Sequence, residues 1–170
     1  MDAPELIRHP FDALYDERSR ILILGSFPSV KSREENFFYA HPQNRFWRVL
    51  AAVTGGSVPA DVEEKRAFLH RNHIALWDVV KSCTICGSAD SAIKNVTPND
   101  IGKILSAAKI EAIFTNGKTA ERYYNKYILP QIGIECHTLP STSPANAAWS
   151  FERLCGAWKN ALGAYTEAGK

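Results

Sequence analysis

A block of four apolar residues, Ile21-Leu22-Ile23-Leu24, stops at Gly25 and gives way to Ser26-Phe27-Pro28-Ser29. β-Branched and Leu residues in a short run, with Gly and Pro behind them, read as a buried strand that empties into a loop at its carboxyl end. A strand buried on both faces needs a covering layer on each side, which points to an α/β chain. Open α/β sheets place their ligands at the carboxyl ends of the strands, so the functional site is expected where this strand ends.

The rest of the chain supplies the alternation such a sheet needs. After a long loop, Pro42 is placed as the first residue of a helix capped by His41, with Phe46, Leu50 and Val53 at helical spacing until Gly55-Gly56; this puts Asn44 in the first turn. Asp61 with Glu63 and Glu64 opens a helix over residues 61–72, and residues 74–80 read as a second strand. Thr97-Pro98-Asn99-Asp100 signals a helix reaching residue 108, residues 110–115 a third strand closed by Asn116-Gly117, and residues 118–129 a helix ending before Pro130. Residues 134–139 form the fourth strand, and Phe151, Leu154, Trp158 and Leu162 make the apolar face of a last helix. The expected fold is therefore a three-layer α/β/α arrangement with a central, mainly parallel four-stranded sheet. The strand ends at residues 25–29, 77–78, 116 and 140–143 then share one edge, where polar residues, glycines and prolines collect.

At 170 residues with 45% hydrophobic content, the chain suits one domain over residues 1–170, with residues 1–19 as a peripheral N-terminal arm anchored by Leu14 and Tyr15. A net charge of +2 leaves a nucleic-acid partner open without demanding one. No stretch is long and apolar enough to span a bilayer and the first residues do not form a signal peptide, so a cytoplasmic monomer with no membrane partner is expected. The four cysteines include Cys83 and Cys86 in a Cys-x-x-Cys pair, but Cys136 and Cys155 lie singly; reduced thiols are expected, with no metal and no cofactor.

Two of the strand ends carry hydroxyls. Ser26, Ser29 and Ser32 follow the first strand, beside a helix start whose backbone N–H groups suit a phosphate or a leaving anion. Leu139-Pro140-Ser141-Thr142-Ser143-Pro144 joins two prolines to three hydroxyls, and stiff turns of this kind can grip consecutive phosphates. Taken alone, both loops are equally well read as turns and helix caps.

Taken together, residues 25–29 and 139–143 resemble the two motifs of the uracil-DNA glycosylase superfamily. Ala40-His41-Pro42-Gln43-Asn44-Arg45-Phe46-Trp47 is similar to the Ala-His-Pro-x-Asn-Arg-Phe-Trp run of the mismatch-specific uracil glycosylases, and the likeness covers residues 20–162. One position departs. Where those enzymes carry a water-holding Asn in the first-motif turn, this chain has Phe27, which can wall a pocket but cannot position water. Either catalysis has moved or it has been lost. The hypoxanthine-DNA glycosylase branch is similar in this respect, with a Gly-Ser-x-Pro-Ser first motif and its essential Asn in the segment matching residues 41–47.

That resemblance implies a monofunctional DNA glycosylase of base excision repair, acting on damaged DNA with an extruded base, hypoxanthine preferred and uracil the alternative. It implies that Asn44 orients water at the sugar carbon and that Tyr39 stacks on the base, with Ser26 and Phe27 beside it. Asp78 matches the residue that reads the base edge and could accept from N1–H of hypoxanthine; it is equally read as structural, and Asn116 is a weaker candidate. Ser29, Arg45, Ser141, Thr142 and Ser143 are expected on the DNA backbone, with His41 and His137 as auxiliary groups. His137 lies two residues before Leu139, which stands where many uracil glycosylases have a histidine. No Schiff-base lysine stands out, which favours simple hydrolysis. A module that binds lesions without cleaving is the alternative of another class.

Overall fold

In the computed structural model, which describes residues 5–85 and 93–166, the chain forms β1 (Glu5–Arg8), β2 (Ile21–Gly25), α1 (Val30–Glu35), α2 (Phe46–Thr54), α3 (Val62–Arg71), β3 (Ile74–Asp78), β4 (Val80–Ile85) and β5 (Ile93–Pro98). It continues through α4 (Gly102–Ala107), β6 (Ala112–Asn116), α5 (Lys118–Tyr123), a π-helical turn (Tyr124–Ile128), α6 (Leu129–Ile132), β7 (His137–Leu139) and α7 (Phe151–Leu162). Four strands make the expected parallel sheet, in the order β3-β2-β6-β7. All five residues of β2 are buried, as a strand covered on both faces requires. Helices flank the sheet: α3 packs on β3, α5 on β6 and β7, and α7 on β7 and α2. Parallel register brings the carboxyl ends level, with Gly25 beside Asp78 and Asn116 beside Leu139.

A second sheet was not legible. β1, β4 and β5 form an antiparallel sheet in the order β1-β4-β5, and its apolar residues join those of the parallel sheet in one core. Register shifts in the β4–β5 pairing between Val80 and Ser82 and between Ser82 and Thr84 disturb the period of two that would have marked β4. The stretch read as a peripheral arm is thereby corrected. Glu5–Arg8 pairs with β4, and Leu14, only 3% exposed, pairs with Leu76 across the edge of the parallel sheet.

Four helix boundaries differ for identifiable reasons. α2 begins at Phe46 rather than Pro42, because the Asn44 side chain accepts from the Phe46 N–H and holds the preceding residues in a turn. α1 lies within what was read as a long loop; Ser29 caps it by accepting from the Ser32 N–H. Thr97 and Pro98 belong to β5, and Asn99 donates to the carbonyls of Asp78 and Val80 instead of capping a helix. Pro130 does not end its helix. The Leu129 N–H reaches back to Tyr124 in a π turn, so Pro130 enters a new first turn, where its missing N–H is not needed.

β7 is shorter than expected, and Phe151 is 38% exposed, leaving Leu154, Trp158 and Leu162 as the buried face of α7. Cys86 lies outside the described residues, so the Cys-x-x-Cys pair has no structural account here. Cys83 is buried and Cys136 and Cys155 are half-buried. Among the described residues no three metal-binding side chains cluster, and no helix is long and apolar enough to cross a membrane.

Candidate active site

The carboxyl edge of the parallel sheet opens into a cavity of about 430 Å³. Among the side chains expected at the site, Ser26, Phe27, Ser29, Tyr39, His41, Asn44, Asp78, Asn116, Ser141, Thr142 and Ser143 line it. Arg45 and His137 do not.

A short relay fixes Asn44. The Thr142 N–H donates to Asn116 Oδ1 (3.1 Å), so the other end of that amide, Nδ2, donates to Thr142 Oγ1 (3.0 Å). The Thr142 hydroxyl hydrogen is then free for Asn44 Oδ1, 2.8 Å away. The same oxygen accepts from the Phe46 N–H at 3.0 Å. Both lone pairs of the Asn44 carbonyl are thus engaged, and the two amide hydrogens are what this residue can still offer. Each amide's orientation follows from a backbone N–H, which can only donate. Thr142, fully buried, is a link between two asparagines rather than the phosphate contact expected of it.

The opposite wall is an acceptor. Asp78, at the end of β3, takes a 2.7 Å hydrogen bond on Oδ2 from His9 Nε2, and the two side chains are 6% and 2% exposed. The Phe11 N–H donates to His9 Nδ1 (3.4 Å), which leaves the ring's hydrogen on Nε2. Among the described residues, Asp78 Oδ1 accepts no hydrogen bond. It lies so close over Gly25 that a β-carbon there would stand 2.4 Å from it, which is why the strand must end in glycine. His9 was missed in the sequence, since 69 positions separate it from Asp78 and no local pattern marks it.

Tyr39 stacks on Phe46, with ring centroids 3.9 Å apart and 17° between planes, in a left-handed backbone conformation (φ 51°). Its hydroxyl is buried and has no hydrogen-bond partner among the described residues. Burial, and then the Asp78 carboxylate, hold the phenol well above the ordinary tyrosine range, with the neighbouring Asn116 amide pulling weakly the other way. Phe27 forms part of the wall, edge-on to His9 at 6.0 Å and under the Arg33 guanidinium.

Around the mouth, Ser141 Oγ accepts from the Ser143 N–H and Ser143 Oγ from the Ala145 N–H, so each hydroxyl keeps its hydrogen for an outside acceptor. Ser29 Oγ instead donates to Ser32 Oγ while capping α1. His41 Nδ1 accepts from the Gln43 N–H. Lys31 and Lys118 also line the cavity, and neither stood out in the sequence. Arg45 turns away: its guanidinium donates to the carbonyls of Ser143, Asn146 and Trp149 and so straps the 143–149 segment to the start of α2. His137 is exposed on β7, tilted against Phe114.

Residues 13–162 match the family model of the uracil DNA glycosylase superfamily. The chain is 37% identical over 150 residues to a hypoxanthine DNA glycosylase of Methanosarcina acetivorans, covering 87% of this chain and 94% of the relative. To the hypoxanthine DNA glycosylase of Methanosarcina barkeri it is 35% identical over 154 residues, covering 89% and 96%. A solution NMR structure from Methanosarcina acetivorans, provisionally assigned as a uracil DNA glycosylase, is similar with a TM-score of 0.76 and 33% identity over 92% of this chain and 98% of that one.

Proposed function

The chain belongs to the uracil DNA glycosylase superfamily, and from that premise we propose that it is a monofunctional DNA glycosylase of base excision repair, hydrolysing the N-glycosidic bond of deaminated bases with hypoxanthine preferred. The observation that carries the reading is Asn44: a side chain fixed by two hydrogen bonds at a cavity wall, with a pair of N–H groups left to use.

The partner is damaged DNA bound by a monomer, with the target nucleotide turned out of the stack; deaminated bases pair poorly, which lowers that cost. Ser141, Ser143 and Ser26 hold the backbone around it, and Lys31 and Lys118 add positive charge at the rim. The flipped base sits between the Tyr39 ring and Phe27. As the C1′–N9 bond breaks, its electron pair goes to the base and positive charge builds on the sugar. Asn44 Nδ2 donates to the oxygen of a water and holds it at C1′; after attack the water's proton is lost to solvent. A carbonyl acting as base is not needed, because the electrophile is already cationic. Uracil is a second substrate, favoured by its ring N–H beside a carbonyl and by the assignment given to the similar NMR structure.

The test is to incubate the protein with duplexes carrying one deoxyinosine or one deoxyuridine, treat with alkali and resolve the strands. Cleavage at inosine that disappears in Asn44→Ala is the expected result. An unchanged rate in that variant removes Asn44 from the mechanism, and salt-dependent binding without cleavage of any base would make the protein a lesion-binding module.

A further inference from the structure

We infer that His9 is a positioning residue for base selection: by donating to Oδ2 of Asp78 it fixes the carboxylate with Oδ1 as an acceptor for a ring N–H, so the site takes a base bearing that hydrogen and refuses the amino-substituted parent. The inference rests on the glycosylase reading and deepens it by naming what the cavity recognises.

Three observations converge. His9 and Asp78 are both nearly inaccessible and 2.7 Å apart, in a position where neither is solvated by chance. The His9 tautomer is set by the Phe11 N–H, so Nε2 must donate and Oδ2 must accept. Asp78 lines the cavity with its second oxygen unbonded among the described residues, over a glycine whose missing side chain leaves room for it. An acceptor held this rigidly has one preferred complement.

Hypoxanthine carries a hydrogen on N1, next to a carbonyl; adenine, from which it arises, carries a lone pair on N1, next to an amino group. Oδ1 facing N1–H makes a charge-assisted hydrogen bond, whereas Oδ1 facing a bare N1 sets lone pair against lone pair. One hydrogen atom thus separates the damaged base from the normal one. If His9 did not hold Oδ2, the carboxylate could turn about its last bond and the discrimination would blur.

The experiment compares deoxyinosine with deoxynebularine, a purine with a bare N1 and no substituent at carbon 6, by single-turnover excision and by binding of non-hydrolysable 2′-fluoro-arabino versions. The wild-type protein is expected to favour inosine by about tenfold or more, the worth of one hydrogen bond to a charged group. In Asp78→Asn, His9 still demands an acceptor, so the amide oxygen faces His9 and the amide nitrogen faces the cavity; the preference should invert towards nebularine. Adding His9→Leu should abolish that inversion, because the amide is no longer oriented, while His9→Gln, which can still donate, should keep most of it. Asp78→Asn retaining the inosine preference would overturn the inference, as would an inversion indifferent to His9→Leu. Should His9→Leu fail to fold, Asp78→Asn alone still decides, because an amide that His9 does not orient would show no inversion. If the wild-type protein releases no base, the glycosylase reading is what fails, and the binding ratios still judge the role of His9.

Discussion

Two side chains line one cavity and are held in opposite chemical states. Asn44 has both carbonyl lone pairs engaged, by Thr142 and Phe46, and presents donors. Asp78 has one oxygen tied to His9 and presents an acceptor. The first wall suits the end of the substrate where a water must be held, the second the edge where bases differ. What separates them is support: Asn44 is fixed by residues two and 98 positions away inside family-like motifs, Asp78 by a histidine with no motif around it. Each wall owes its character to the neighbours that hydrogen-bond its side chain.

The sharpest way to break the comparison is Asn44→Ala, which should lower single-turnover excision by a factor of about 10² to 10³, the loss seen when one preorganised donor is removed. Base preference should stay as it was, since Asp78 is untouched. Thr142→Val comes next. It leaves the Asn116 amide donor without its acceptor in a buried site and frees Asn44 to rotate, so excision should fall by at least tenfold and stability by about 1–3 kcal/mol in denaturant melts, with Thr142→Ser recovering most of both. On the opposite wall, Gly25→Ala places a carbon 2.4 Å from Asp78 Oδ1 and must displace the carboxylate. That variant should lose about 1–3 kcal/mol and blur the preference between inosine and nebularine, leaving the Asn44 side intact.

The smallest effect is on pH dependence. Tyr39 is held above the ordinary value of 10.0, and burial, with Cys136 nearby, pushes Tyr124 up to about 12. A raised acid keeps its proton longer in the folded chain than in the unfolded one, so this stability is complete below pH 10 and is lost as pH rises through the folded values. Melting temperature should drop above pH 10, and less steeply in Tyr39→Phe.

How much of this was legible follows the range of the interactions. The buried run at residues 21–24 and the alternation after it carried the parallel sheet, because burial on two faces and helix caps are local signals. Asn44, Tyr39 and the 141–143 loop were legible as members of short motifs. The antiparallel sheet was hidden by irregular pairing in β4, and His9 by distance along the chain. Arg45 and Thr142 were placed at the site for the wrong reason: a guanidinium and a hydroxyl suggest phosphate, yet nearby carbonyls and amides claimed them first. Sequence shows which groups a site has to work with, and only the fold shows which of them are already occupied.

The docking of β1 onto β4 carries a consequence for how a damaged copy of the protein would fail. The strand that delivers His9 lies at the edge of its sheet, apart from Asn44 and its supports. Damage there would leave the Asn44 wall whole and loosen the Asp78 wall. A copy clipped or mutated in that strand would then keep its grip on Asn44 and lose its discrimination at Asp78, a failure that shows in which base is chosen before it shows in rate.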